Sequence, residues 1–86
     1  MYLIHVHYSL KPGKRNEFVD RVKEAGILSA TRMEHGNLMY RYTFPEDNEN
    51  EIILLEAWED KTAIEEHLKT GHAEQLKRVK QNYVEK

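Results

Sequence analysis

The chain has no cysteine. Disulfides, thiolate nucleophiles, iron–sulfur ligation and cysteine-type zinc sites are therefore excluded together. A reducing, cytoplasmic setting is the expectation that fits. Long apolar runs are also missing. Ile52-Ile53-Leu54-Leu55 suits a buried strand and falls far short of the roughly 18 residues of a membrane span. The opening residues MYLIHVHYSL lack a basic region and a small-residue cleavage site, so no signal peptide is expected. Neither charge dominates: 13 Lys and Arg against 15 Asp and Glu leave a formal net charge of −2. That balance gives no electrostatic case for nucleic acid. With 86 residues there is room for one domain, spanning residues 1–86. So small a core favours a second copy of the chain as a source of further burial.

Prolines number 2 and glycines 4, so each marks a break worth reading. Tyr2 to Ser9 alternates, with Tyr2, Ile4, Val6 and Tyr8 on one face and Leu3, His5, His7 and Ser9 on the other. Lys11-Pro12-Gly13-Lys14 is a turn. A helix is expected from about Lys14, with a stripe of Phe18, Val22, Ala25, Ser29 and Met33. Gly26 lies inside that stripe at a cost of about 1 kcal/mol relative to alanine. The helix should end by His35, because Gly36 suits a C′ position. In Asn37 to Phe44, Leu38, Tyr40, Tyr42 and Phe44 alternate with Asn37, Met39, Arg41 and Thr43, and Pro45 ends the strand. The polar stretch Glu46 to Glu51 reads as a hairpin loop, returning through an antiparallel strand to Trp58.

Asp60 stands where a helix N-cap belongs. Ala63, Ile64, His67 and Leu68 then share one helical face. Thr70 starts a second helix, which from about Gly71 shows Ala73, Leu76, Val79 or Lys80, and Tyr83 on one side. The order β-α-β-β-α(α) is most of the ferredoxin-like α+β unit. Only Tyr83-Val84-Glu85-Lys86 remains for a closing strand, which is short or missing. A sheet with helices on one side leaves an apolar face bare, and this predicts a homodimer packed sheet against sheet.

Trp58, His67 and His72 are expected near one end of the last strand. Each has a plainer reading: Trp58 as core, His67 as a satisfied core histidine, His72 as a helix-start residue, and Asn37 as turn chemistry after Gly36. His5 and His7 share a strand face and can form a metal pair, with Glu56 as an acid from the neighbouring strand. No carboxylate at a defined spacing completes that set. His67 and His72 are five apart, not the four that put two ligands on one helical face. No metal site is expected.

The segments Glu34-His35-Gly36-Asn37-Leu38-Met39-Tyr40 and Glu56-Ala57-Trp58-Glu59-Asp60, followed by Ala63, His67 and His72, resemble the antibiotic biosynthesis monooxygenase family. The family pattern is similar to E-x-G-N-L-x-Y, then E-x-W, then A-x-x-x-H with a further H five residues on. The match covers about Tyr2 to Tyr83, and its specificity lies in order and spacing. The resemblance implies a dimeric α+β barrel of ferredoxin-like protomers. It implies oxidation of small aromatic, quinol-like or quinone-like compounds by O2 with no cofactor. It maps the family's pocket residues onto Asn37, Trp58, His67 and His72. Haem-binding and haem-degrading relatives exist in the superfamily, but they place an Asn on the first strand where His5 or His7 stands here. A non-catalytic ligand-binding or dimerisation module is the other alternative.

An oxygenase without cofactor must deprotonate its phenol or quinol, so that the electron-rich anion can pass an electron to oxygen. It needs an apolar pocket, a base and donors for a developing oxyanion. His67 or His72 is the expected base, since an imidazole titrates at about pH 6.5. Asn37 is the expected amide donor and Trp58 a flat wall with an indole N–H. His72, His5, His7 and Glu56 are the expected substrate-binding residues.

Overall fold

Two alternating segments, Tyr2–Ser9 and Asn37–Thr43, and one apolar run, Ile52-Ile53-Leu54-Leu55, become the strands. The computed structural model describes residues 1–86. In chain order it has β1 (Tyr2–Ser9), α1 (Arg15–Glu24), α2 (Ile27–Arg32), β2 (Asn37–Thr43), β3 (Glu51–Trp58), α3 (Lys61–Leu68) and α4 (Gly71–Tyr83). The sheet order is β1-β3-β2, with both pairings antiparallel. The α+β, ferredoxin-like expectation is met. No helix is long and apolar enough to cross a membrane.

Register decides which residues meet the helices. Tyr8 lies opposite Ile52, Val6 opposite Leu54, and Ile4 and Tyr40 both opposite Glu56. Tyr8, Tyr40, Ile52, Leu54 and Trp58 from this inner face join Phe18, Val22, Ile27, Leu28, Ala63, Leu76 and Tyr83 from the helices in one core. Each large apolar side chain buried there contributes about 1.5–3 kcal/mol of transfer free energy. Phe18 is the centre, edge-on to Tyr8, Tyr42 and Tyr83 with ring centroids 6.1, 5.8 and 5.9 Å away. The open face carries Leu3, His5 and His7 of β1, Met39, Arg41 and Thr43 of β2, and Ile53, Leu55 and Ala57 of β3.

Four expectations need correction. The single helix after Pro12 is two. Gly26 adopts φ +75°, a left-handed conformation that ends α1 and re-aims α2. The stripe therefore changes phase, burying Ile27, Leu28 and Thr31, while Ser29 is exposed and Met33 is 86 % exposed. In β2 the ladder steps from Asn37–Trp58 to Met39–Ala57, so Leu38 is an extra residue. This bulge turns Leu38 away from the stripe it was assigned to and exposes it. Phe44 lies beyond the strand, exposed, under the Arg15 guanidinium at 4.0 Å. Leu68, at the end of α3, is exposed rather than on the buried face that Ala63 and His67 occupy.

The closing strand exists as a stub. Leu10 and Val84 form one antiparallel bridge. Ser9 N–H donates to Lys86 O at 3.0 Å, and Glu85 N–H donates to Ser9 O at 2.7 Å. The tail thus runs along the outer edge of β1 without lengthening into a full strand.

Candidate active site

The site is assembled from a turn, a strand end and a helix junction. After α2 the chain turns through residues 33–36. Glu34 N–H donates to Thr31 O at 3.1 Å and Asn37 N–H to Glu34 O at 3.1 Å. Arg32 Nε donates to Tyr40 O at 2.9 Å, pinning the turn to β2. Gly36 has φ +86°, and a Cβ there would stand 2.6 Å from Ala63 Cβ. The absent side chain is what lets α3 lie against the turn. Glu59 N–H donates to Gly36 O at 2.8 Å and completes that contact.

Asp60 caps α3 by accepting from Ala63 N–H at 2.9 Å. Thr70 serves both helices at their junction. Its hydroxyl oxygen accepts from Ala73 N–H at 3.1 Å, and its O–H donates to His67 O at 2.8 Å. His67 in the last turn of α3 and His72 in the first turn of α4 are therefore fixed relative to each other by a capped break. Five residues of separation across a break does what it cannot do on one helix. His67 Nδ1 lies 2.6 Å and His72 Nε2 2.8 Å from the same Glu34 oxygen, Oε2.

All three side chains are largely removed from water, with His67 only 7 % exposed. Those distances place an N–H on His67 Nδ1 and on His72 Nε2, each donating to the carboxylate. In a neutral His67 ring this bond puts the free lone pair on Nε2, the form a base requires. Its ring lies tilted against Trp58 with centroids 4.8 Å apart and against Tyr40 at 6.2 Å. Trp58 is fully buried, and its indole N–H donates to Glu56 Oε1 at 3.0 Å.

Glu56 gives the inner face its electrostatics. Burial first, then the Glu56 charge, pushes the Tyr8 phenol up from 10.0 to about 12. Tyr40 and Tyr42 are raised further, again mainly by burial. Lys80, half-buried beside the Tyr8 ring, is lowered by desolvation, and Glu56 opposes that shift. The Tyr42 hydroxyl is buried with no hydrogen-bond partner.

Of the residues expected at the site, Trp58, Glu56, His67 and His72 come together. Asn37 sits at the same end of the sheet, opposite Trp58, but its amide donates to Met39 O at 3.1 Å and closes the bulge. His5 and His7 are exposed on the open face, opposite Leu55 and Ile53, on the far side of the sheet from His67. The residue that spacing missed is Glu34, the first letter of the E-x-G-N-L-x-Y segment. It joins the two histidines into one cluster.

The antibiotic biosynthesis monooxygenase family model matches residues 1–79. The chain belongs to the antibiotic biosynthesis monooxygenase family. A Bacillus subtilis (strain 168) protein named "Putative monooxygenase YcnE" is 31 % identical over 72 residues, covering 84 % of this chain and 74 % of that protein. Among solved structures, one from Nitrosomonas europaea, described as a "Putative antibiotic biosynthesis monooxygenase", is similar with a TM-score of 0.88. It is 20 % identical and covers 100 % of this chain and 88 % of that one. PA3566 from Pseudomonas aeruginosa is similar at a TM-score of 0.78 and 25 % identity, over 98 % of this chain and 82 % of that one. The matched residues include the Glu34–Tyr40 turn and the Glu56–Trp58 strand end, the segments that carry Glu34, Glu56 and Trp58.

Proposed function

We propose that this chain is a cofactor-independent monooxygenase that oxidises a small aromatic or quinol-like compound with O2. Family membership supports the reaction class. The observation that carries the residue assignment is the buried Glu34–His67 hydrogen bond at 2.6 Å. It fixes the ring orientation and leaves Nε2 as the acceptor for a phenolic proton. The substrate anion formed next to Trp58 then donates an electron to oxygen. Trp58 supplies the flat apolar wall, and Glu56 holds the indole in place. Glu34 positions the base without touching the substrate.

The working unit in this reading is a homodimer. The open face exposes Leu3 and leaves Met39, Ile53 and Leu55 partly in water, a cost that a second sheet removes. Sedimentation at micromolar concentration should show a dimer, and a monomer there counts against the pairing.

A second reading, a non-catalytic ligand-binding module of the same fold, draws on one observation. Trp58 and His67 are packed, and the surface depressions of about 220 to 580 Å³ are lined by other residues. Oxygen uptake with a panel of quinols separates the two. Turnover with one of them, reduced roughly 10²–10⁴-fold by His67→Ala, is expected for a positioned general base. No uptake with any quinol supports the module. Full activity in the variant moves the base elsewhere.

A further inference from the structure

We infer that Glu34, His67 and His72 form a binding site for one first-row divalent cation, such as Zn2+ or Co2+. Two imidazoles and one carboxylate converge so that their donor atoms all lie within 4.8 Å of one another. Borderline divalent ions take this donor set, with water completing the coordination. The three donors come from three separate pieces of backbone: the turn after α2, the end of α3 and the start of α4. Each piece is held independently, by the Arg32–Tyr40 bond, the Asp60 cap and the Thr70 cap respectively. The donors are thus preorganised, and little ordering remains to oppose binding.

Binding an ion needs a rearrangement of the three donors. Ligand atoms around a tetrahedral ion with bonds of about 2.0–2.1 Å stand about 3.3 Å apart. The two pairs now at 2.6 and 2.8 Å must open by about 0.5–0.7 Å, and the two imidazole nitrogens, within 4.8 Å of each other, must draw in toward the same spacing. The protons that hold those pairs together leave the ligating nitrogens. His67 then carries its proton on Nε2 and His72 on Nδ1, and both rings stay neutral. Glu34 is also reached from the surface. A depression of about 360 Å³ is lined by Glu34 and Thr70 together with the carboxylates of Asp60 and Glu66, a surface that draws cations. With an ion on Nδ1, His67 carries its proton on Nε2 and has no lone pair left to act as a base. Metal occupancy and the base role proposed above therefore exclude each other, and binding can be measured whether or not the chain is an oxygenase.

The test titrates the full-length protein with Co2+ and then with Zn2+. Saturable uptake of one ion per chain is expected, with Co2+ ligand-field bands that Zn2+ abolishes. Imidazole nitrogen NMR of the unaltered protein should show the tautomer change at His67 and His72 while the signals of His5, His7 and His35 stay put. Glu34→Gln should weaken binding by at least about tenfold, as should His72→Ala. The inference is overturned if no one-to-one saturation occurs. It is equally overturned if the affected rings are His5 and His7, or if Glu34→Gln binds as well as the parent.

Discussion

The two faces of one sheet each carry a histidine pair, and the pairs behave oppositely. His5 and His7, two residues apart on β1, point the same way and stay exposed. No carboxylate meets them. His67 and His72, five apart and on different helices, meet at a single oxygen of Glu34 at 2.6 and 2.8 Å. Spacing along one element therefore predicts shared direction and nothing more. Convergence needs a third group from elsewhere in the chain and enough burial to hold it there. The inner face has both, because α3 and α4 close over it. The open face has neither within one protomer.

The strongest way to break this contrast is to lift α3 off the Glu34 turn. Gly36→Ala places a Cβ 2.6 Å from Ala63 Cβ at a φ of +86°. Left-handed strain and overpacking together should cost about 2–4 kcal/mol, read from chemical denaturation. The His67 and His72 ring signals should shift in the same variant. If stability is unchanged, the close approach of turn and helix is not what positions the carboxylate.

Alkaline pH should sharpen the contrast next. Burial raises Tyr8 from 10.0 to about 12, and Tyr40 and Tyr42 move the same way. A raised folded-state value stabilises the protein fully below the unfolded value. That stability is lost as pH climbs through the folded one. Between about pH 10 and 12 the protein should therefore lose stability progressively, with inner-face tyrosinate appearing only as it unfolds. Simultaneous, reversible ionisation of every tyrosine in the folded state would contradict the closed inner face.

The smallest effect is expected on the open face. His5→Ala combined with His7→Ala should change protomer stability by no more than about 0.5 kcal/mol, since neither side chain is buried or paired. It should also leave the Glu34 cluster untouched. A larger loss, or one that grows on dilution, would show that the pair sits in a contact between copies.

Where elements lie was largely legible in the residues. Alternation marked two strands and an apolar run the third, Asp60 and Thr70 marked two helix starts, and Pro45 marked a strand end. Gly26 was visible as a weak point, but whether it would be tolerated or break the helix depends on what must be buried next. Ile27 and Leu28 reach the core only if α2 turns, and the left-handed φ of Gly26 supplies that turn. The Leu38 bulge was illegible for a similar reason. It is a property of the pairing with β3, and Asn37 stabilises it with an amide that sequence alone could assign equally to a substrate.

The sequence by itself determined the element order, the family, the inner and outer sets of β1 and of β2 past the bulge, and the nearness of Trp58 to His67, which one strand-to-helix turn separates. These depend on local geometry, where side-chain direction follows from a period of two or 3.6 residues. Only the tertiary structure decided that Glu34 is the partner of both histidines. That contact spans 33 residues to His67 and 38 to His72. It depends on a missing Cβ at Gly36, a capped break at Thr70 and the packing of α3 against the turn. No periodicity encodes a distance between groups that far apart, because it is the sum of every bend and contact between them.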